Sequence, residues 1–215
     1  STLFPYTTLF RSRLVADVEY RWAQDAAFLG VSPTWKTDAY FYRSPEEKQR
    51  LVGAAQTDFA KPWLHQVHLQ WEPFPDRVVK HELAHVLAGE FGTGPFLISG
   101  GGLANVGLIE GLATAADNSE GGELTLEQWA AGMKRLNALP SLVELFTPTG
   151  FWGTEQGRAY TAVGAFLRFL HARFGGTQAL QKLYRDGDFA AATGKPLAEL
   201  ERLWLAHLDS IPMDQ

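Results

Sequence analysis

The stretch Val78-Val79-Lys80-His81-Glu82-Leu83-Ala84-His85-Val86-Leu87-Ala88 constrains this chain more than any other. Its apolar residues recur at helical spacing, so it reads as a helix. Successive residues of an α-helix turn by about 100°, and positions four apart nearly eclipse. His81 and His85 therefore leave one face, one turn apart. Two imidazoles so placed can both reach a single Zn2+ at about 2.0–2.1 Å. Glu82 is rotated to the side, where it can reach a water on such an ion without displacing it. The competing reading is an ordinary amphipathic helix with two half-buried histidines, and the rest of the chain has to decide between them.

At 215 residues the chain is long enough for one domain, or one domain of two lobes. The net charge is −5, with no basic block to attract nucleic acid. Cysteine is absent, which removes disulfides, a thiolate nucleophile and thiolate zinc ligands. No run of about 18 apolar residues occurs, so no helix is expected to span a membrane. The first twelve residues, Ser1 to Ser12, show neither helical nor strand period and none of the marks of a signal peptide. They read as a non-native leader, which leaves 13–215 as a single domain. If the natural chain begins further upstream, there is room there for a signal or membrane anchor, which favours an extracytoplasmic or membrane-associated location. Otherwise the compartment stays open.

In chain order, Arg13 to Leu29 carries a helical stripe closed by Gly30. Lys36 to Arg43 reads as a strand. Ser44-Pro45-Glu46-Glu47 starts a helix running to about Ala55, with Ser44 as N-cap, Pro45 at the first position and Glu47 completing a capping box. His65 to Trp71 alternates as a second strand. The histidine helix spans about Asp76 to Phe91-Gly92, and the glycine-rich Thr93 to Gly102 reads as a connector. Helices follow from about Asn105 to Ala116, Thr125 to Asn137, Gly157 to Phe174, Thr177 to Arg185 and Pro196 to Leu208. Strands early and helices afterwards make an α+β pattern, with a sheet-containing lobe at about 13–92 and a helical lobe at about 103–215.

A protein zinc site that keeps an open position needs three protein ligands. One extended form of the motif puts a third His six residues after the second, but Phe91 stands there. Glu110 is the better candidate. It sits among small and apolar neighbours, where an unpaired carboxylate would be costly. A Glu paired with an Arg is the alternative. Asp117, seven residues on, could accept a ring N–H from a ligand histidine. His65 and His68 read as surface histidines on opposite sides of a strand, and His171 and His207 as structural.

His81-Glu82-x-x-His85 followed by Ile109-Glu110-Gly111-Leu112-Ala113 resembles the gluzincin metallopeptidases, in particular the group called peptidase MA-like. The resemblance runs from Lys36 to about Arg185. It implies a zincin catalytic domain: a small N-terminal sheet, an active-site helix and a helical C-terminal lobe. It also implies Zn2+ held by His81, His85 and Glu110, with Glu82 as general base in hydrolysis of a peptide or protein substrate. His65–Trp71 would be the edge strand along which an extended peptide lies. Gluzincins often add a phenol or imidazole donor for the oxyanion from the helical lobe; Tyr160, at the start of the long helix, is placed for it, with His171 as a weaker substitute. Two other readings stay open: a zincin-fold binding or structural module with idle zinc, and a zinc hydrolase of a non-peptide amide or ester.

Overall fold

The computed structural model describes residues 5–72, 76, 78–99, 104–117 and 124–213, with side chains from residue 11 on. Helix α1 (Pro5–Leu29) comes first, and its inward face buries Ala26 and Leu29. It begins eight residues before the expected start at Arg13. Once a helix is nucleated, each further residue costs little, and Pro is tolerated at the first position, so the segment before the stripe continues the same helix. Gly30 ends it with φ +64; a side chain there would meet Thr177 Cγ2 at 2.6 Å.

Strand β1 (Asp38–Tyr42) leads into α2 (Pro45–Val52), where Ser44 Oγ accepts from Glu47 N at 3.2 Å. The Glu47 carboxylate reaches back to Arg43 N–H at 2.8 Å, one residue beyond the expected reciprocal bond. The helix stops at Gly53, which adopts the left-handed conformation. A short strand, β2 (Phe59–Lys61), and a 3-10 turn, Pro62–Leu64, then precede β3 (Gln66–Gln70).

The sheet order is β1-β3-β2. Strand β3 pairs parallel with β1 (Ala39↔Val67, Phe41↔Leu69) and antiparallel with β2 (Phe59↔His68, Lys61↔Gln66). The expectation that His65–Trp71 forms the edge strand is therefore corrected: β3 is the centre, and β2 is an edge. Three residues are too few to show a period, so β2 left no pattern to read. The same strand overturns the reading of His68 as a surface residue. Its ring lies between Tyr40 (4.9 Å) and Phe59 (4.7 Å), its Nδ1 is 2.7 Å from Tyr42 Oη, and it is 4% exposed. Burial, then the charges of Lys61 and Lys48, push its imidazole down to about 4, which keeps it neutral.

Helix α3 (Val79–Ala88) carries the two histidines. Asp76 Oδ1 accepts from Val78 N at 2.9 Å just before its first turn. Its Val79, Leu83 and Val86 pack under the sheet with Val67 and Leu69. Its Ala84, Leu87 and Ala88 join the larger core of the helical part. One helix thus faces two cores, and this holds its polar stripe between them.

The helical part comprises α4 (Val106–Asp117), α5 (Leu126–Arg135), α6 (Leu142–Leu145), α7 (Gly150–Gly153), α8 (Gln156–Arg173), α9 (Gly176–Asp186), α10 (Phe189–Thr193) and α11 (Leu197–Asp209). The three of four or five residues are too short for a helical period and were not expected. Helices α4 and α8 pack closely, because Gly164 faces Thr114 where a side chain would come within 2.5 Å of its methyl group. The glycine-rich connector forms a tight hairpin, Thr93 pairing with Ile98; its residues 100–102 lie outside those described. Among the described residues, no helix is long and apolar enough to cross a membrane.

Candidate metal centre

Ala84, Leu87 and Ala88 of α3 meet Leu108 and Leu112 of α4 in one core. This packing turns the histidine face of α3 toward Glu110. His81 Nε2 and His85 Nε2 are 3.1 Å apart, and Glu110 Oε2 lies 3.2 Å from the first and 3.5 Å from the second. Three donor atoms at about 2.0–2.1 Å from a tetrahedral zinc would be about 3.3–3.4 Å from one another. The observed edges, 3.1, 3.2 and 3.5 Å, lie within about 0.3 Å of those values. An imidazole N–H points along one axis at one acceptor, so a closed triangle of three such atoms suits a cation at its centre better than mutual hydrogen bonds. Among the described residues, no fourth His, Cys, Asp or Glu joins the three.

Burial alone would raise the Glu110 carboxyl. The hydrogen bonds and charges of His81 and His85 outweigh it, and hold Glu110 well below the usual carboxylate range. The group is thus an anion at any ordinary pH, which is the state a metal ligand needs.

Glu82 is 6% exposed. Burial pushes its carboxyl up to about 7; attraction to His81 opposes the rise and repulsion from Glu110 adds to it. A carboxylate so tuned can take a proton near neutral pH and release it again. Behind it lies an ion pair that the sequence did not disclose. Lys48 Nζ, fully buried, donates to Asp58 Oδ1, and the same oxygen accepts Gln70 N at 2.6 Å. A lysine on a short amphipathic helix reads as solvated, and only the folded sheet shows otherwise.

Tyr160, near the start of α8, places its ring 5.9 Å from that of His81 and 5.2 Å from that of Phe151. Burial, then the charge of Glu110, raises its phenol, so it remains a donor. Asp117 ends α4. Burial raises its carboxyl, the charge of His81 opposes the rise, and its Oδ1 is buried with no hydrogen-bond partner among the described residues. His171 bonds Thr177 Oγ1 at 3.1 Å, His207 stacks on Phe169, and His65 stacks on Trp35 at 3.8 Å. None of these joins the cluster. Two further hydroxyls, of Tyr184 and Ser99, are buried with no hydrogen-bond partner among the described residues; neither residue stands in a motif that marks it in the sequence.

No family model, no curated protein and no solved structure matches this chain.

Proposed function

We propose that this chain is a zinc-dependent hydrolase of the gluzincin kind that cleaves peptide bonds. The observation that carries the reading is the triangle of His81 Nε2, His85 Nε2 and Glu110 Oε2, with edges of 3.1, 3.2 and 3.5 Å. The donor set fits zinc in type as well as spacing: two imidazoles and one anionic carboxylate. Zinc held there supplies Lewis acidity toward a carbonyl oxygen and lowers the pKa of a water toward about 7.

The remaining work falls to the chain's own groups. Glu82 takes a proton from the attacking water on its carboxylate and passes it to the leaving nitrogen. Its raised proton affinity suits it to both halves of that transfer. Tyr160 donates its phenolic O–H to the oxyanion as charge develops on the former carbonyl. An extended peptide is better accommodated at β2 than at β3, since β3 has partners on both sides and β2 is an edge. A fourth protein ligand would favour a merely structural zinc, and none is seen among the described residues.

The test is metal analysis of the protein together with hydrolysis of a mixed peptide library, run beside Glu82→Gln. The reading expects about one zinc per chain in both proteins, with hydrolysis in the parent and at least about 10²-fold less in the variant. A protein that holds zinc and cleaves nothing would be a binding or structural module instead. Cleavage confined to non-peptide amides or esters would keep the chemistry and change the substrate.

A further inference from the structure

His81, His85 and Gly89 follow one another at intervals of four, so on a helix they form one row. Gly89 keeps the helical conformation, with φ −57 and ψ −26. The row that carries the two histidines therefore runs on to Gly89, about 6 Å beyond His85 along the axis. Two loops close it there. A Cβ on Gly89 would stand 3.1 Å from Pro62 Cβ and 3.6 Å from Leu97 Cβ.

The same loops present aromatic rings. Pro62 opens the 3-10 turn that continues β2. The next residue, Trp63, meets Phe96 of the Thr93–Ile98 hairpin edge-on, with ring centroids 5.0 Å apart. Trp63, Leu64 and Phe96 are 39%, 49% and 52% exposed. Single exposed hydrophobics are ordinary, but three on two adjoining loops mark a surface with a use. Both loops are held in place. His65 ends the turn at φ +54 and stacks on Trp35, whose indole N–H donates to Glu90, beside Gly89, at 2.5 Å. Thr93 and Ile98 exchange backbone hydrogen bonds of 2.9 and 3.1 Å across the hairpin. Leu97 is kept at φ +52, a region that bulky residues rarely adopt and that costs energy to hold. A surface fixed in this way loses little entropy on binding.

What the patch adjoins decides its occupant. It lies at one end of the histidine row and at the end of the edge strand β2. We propose that Trp63 and Phe96 are specificity-determining residues: they form a subsite for a bulky apolar side chain of a peptide substrate, about two residues on the N-terminal side of the cleaved bond. The inference rests on the peptidase reading above. Strand β2 sets the direction. An extended peptide joins a free sheet edge through its main chain, and antiparallel pairing is the more stable kind. Strand β2 runs from Phe59 toward Pro62, and so toward the patch. A peptide antiparallel to it has its N-terminal part at Trp63. Helix α3 sets the distance. The roughly 6 Å from His85 to Gly89 correspond to about two residues of extended chain at about 3.3 Å each.

The experiment maps cleavage sites in a mixed peptide library for the parent, Trp63→Ala and Phe96→Ala. It then measures kcat/KM on paired peptides that differ only in Phe or Ala at that position. Both residues are exposed, so zinc content and melting temperature should stay near the parent's. The parent should prefer Phe over Ala by about tenfold or more, the order expected for added apolar groups in a hydrophobic pocket. Each variant should bring that ratio toward one. A parent without preference on the N-terminal side, or a preference that survives in both variants, would overturn the inference and leave the peptidase reading standing. So would unchanged cleavage by variants that no longer sediment with phosphatidylcholine vesicles as the parent does, which would make the patch a membrane contact. A parent that cleaves no peptide would overturn both readings, and so is told apart from the other failures.

Discussion

His81 Nε2 and His85 Nε2 face each other at 3.1 Å, one helical turn apart, with their ring planes at 85°. Two imidazole nitrogens so close can share at most one proton along one direction, and both also abut the anionic Glu110. The arrangement is costly for a hydrogen-bonded cluster and well shaped for a cation. Zinc at about 100 times its Kd should therefore raise the unfolding free energy of the parent by about 2.7 kcal/mol. His81→Ala, His85→Ala and Glu110→Ala should each lose both the metal and that gain, read by elemental analysis and by melts with and without zinc. Full zinc content in Glu110→Ala would remove Glu110 as a ligand and turn attention to Asp117.

Tyr160→Phe deletes a donor and keeps the ring that packs on Phe151. Zinc content and melting temperature should stay at the parent level, while peptide turnover falls by roughly 10²-fold, as for other lost oxyanion donors. Turnover at the parent rate with zinc bound would return Tyr160 to the role of a packing residue.

Asp25 gives stability a pH dependence. It is fully buried on α1, and neither of its carboxyl oxygens has a hydrogen-bond partner among the described residues. Burial pushes its carboxyl up to about 8; Lys80 and Arg21 oppose the rise and Asp117 adds to it. The folded protein therefore holds this proton more tightly than the unfolded chain, whose Asp titrates near about 3.9. The associated stability is fully present below about pH 4. It is lost as pH rises to about 8, by no more than about 1.4 kcal/mol per pH unit for one proton. Asp25→Asn should flatten this slope and raise stability at pH 8 more than at pH 5. Urea melts at three pH values would show it, and parallel curves for the two proteins would exclude the effect.

The Lys48–Asp58 pair should matter to the sheet. Asp58→Asn leaves a fully buried ammonium without its counter-charge, and breaking such a pair costs about 3–5 kcal/mol. Lys48→Met together with Asp58→Asn removes both charges and should recover much of the loss. Denaturant midpoints measure both. A single variant as stable as the parent would mean that Lys48 finds another partner or reaches water.

Some of this was legible in the residues alone, and the boundary follows the range of the interactions. Local period and caps are written within a few residues, so α3, α8 and the starts of α2 and α5 could be read from Val79, Val163, Ser44 and Thr125. The 3.6-residue turn alone puts His81 and His85 on one face. Leaving out cysteine narrows any metal donors to His, Asp and Glu. The small and apolar neighbours of Glu110 marked it as a carboxylate that needed a partner, but only the packing of α4 on α3 brought it to 3.2 Å from His81. The tertiary structure alone decided that β3 is central, since β2 has three residues and no period. It alone buried His68, Lys48 and Asp25, each of a residue type that usually reaches water. It alone set Trp63 against Phe96. Those outcomes depend on which surfaces meet, and contacts between distant segments leave no trace in local spacing.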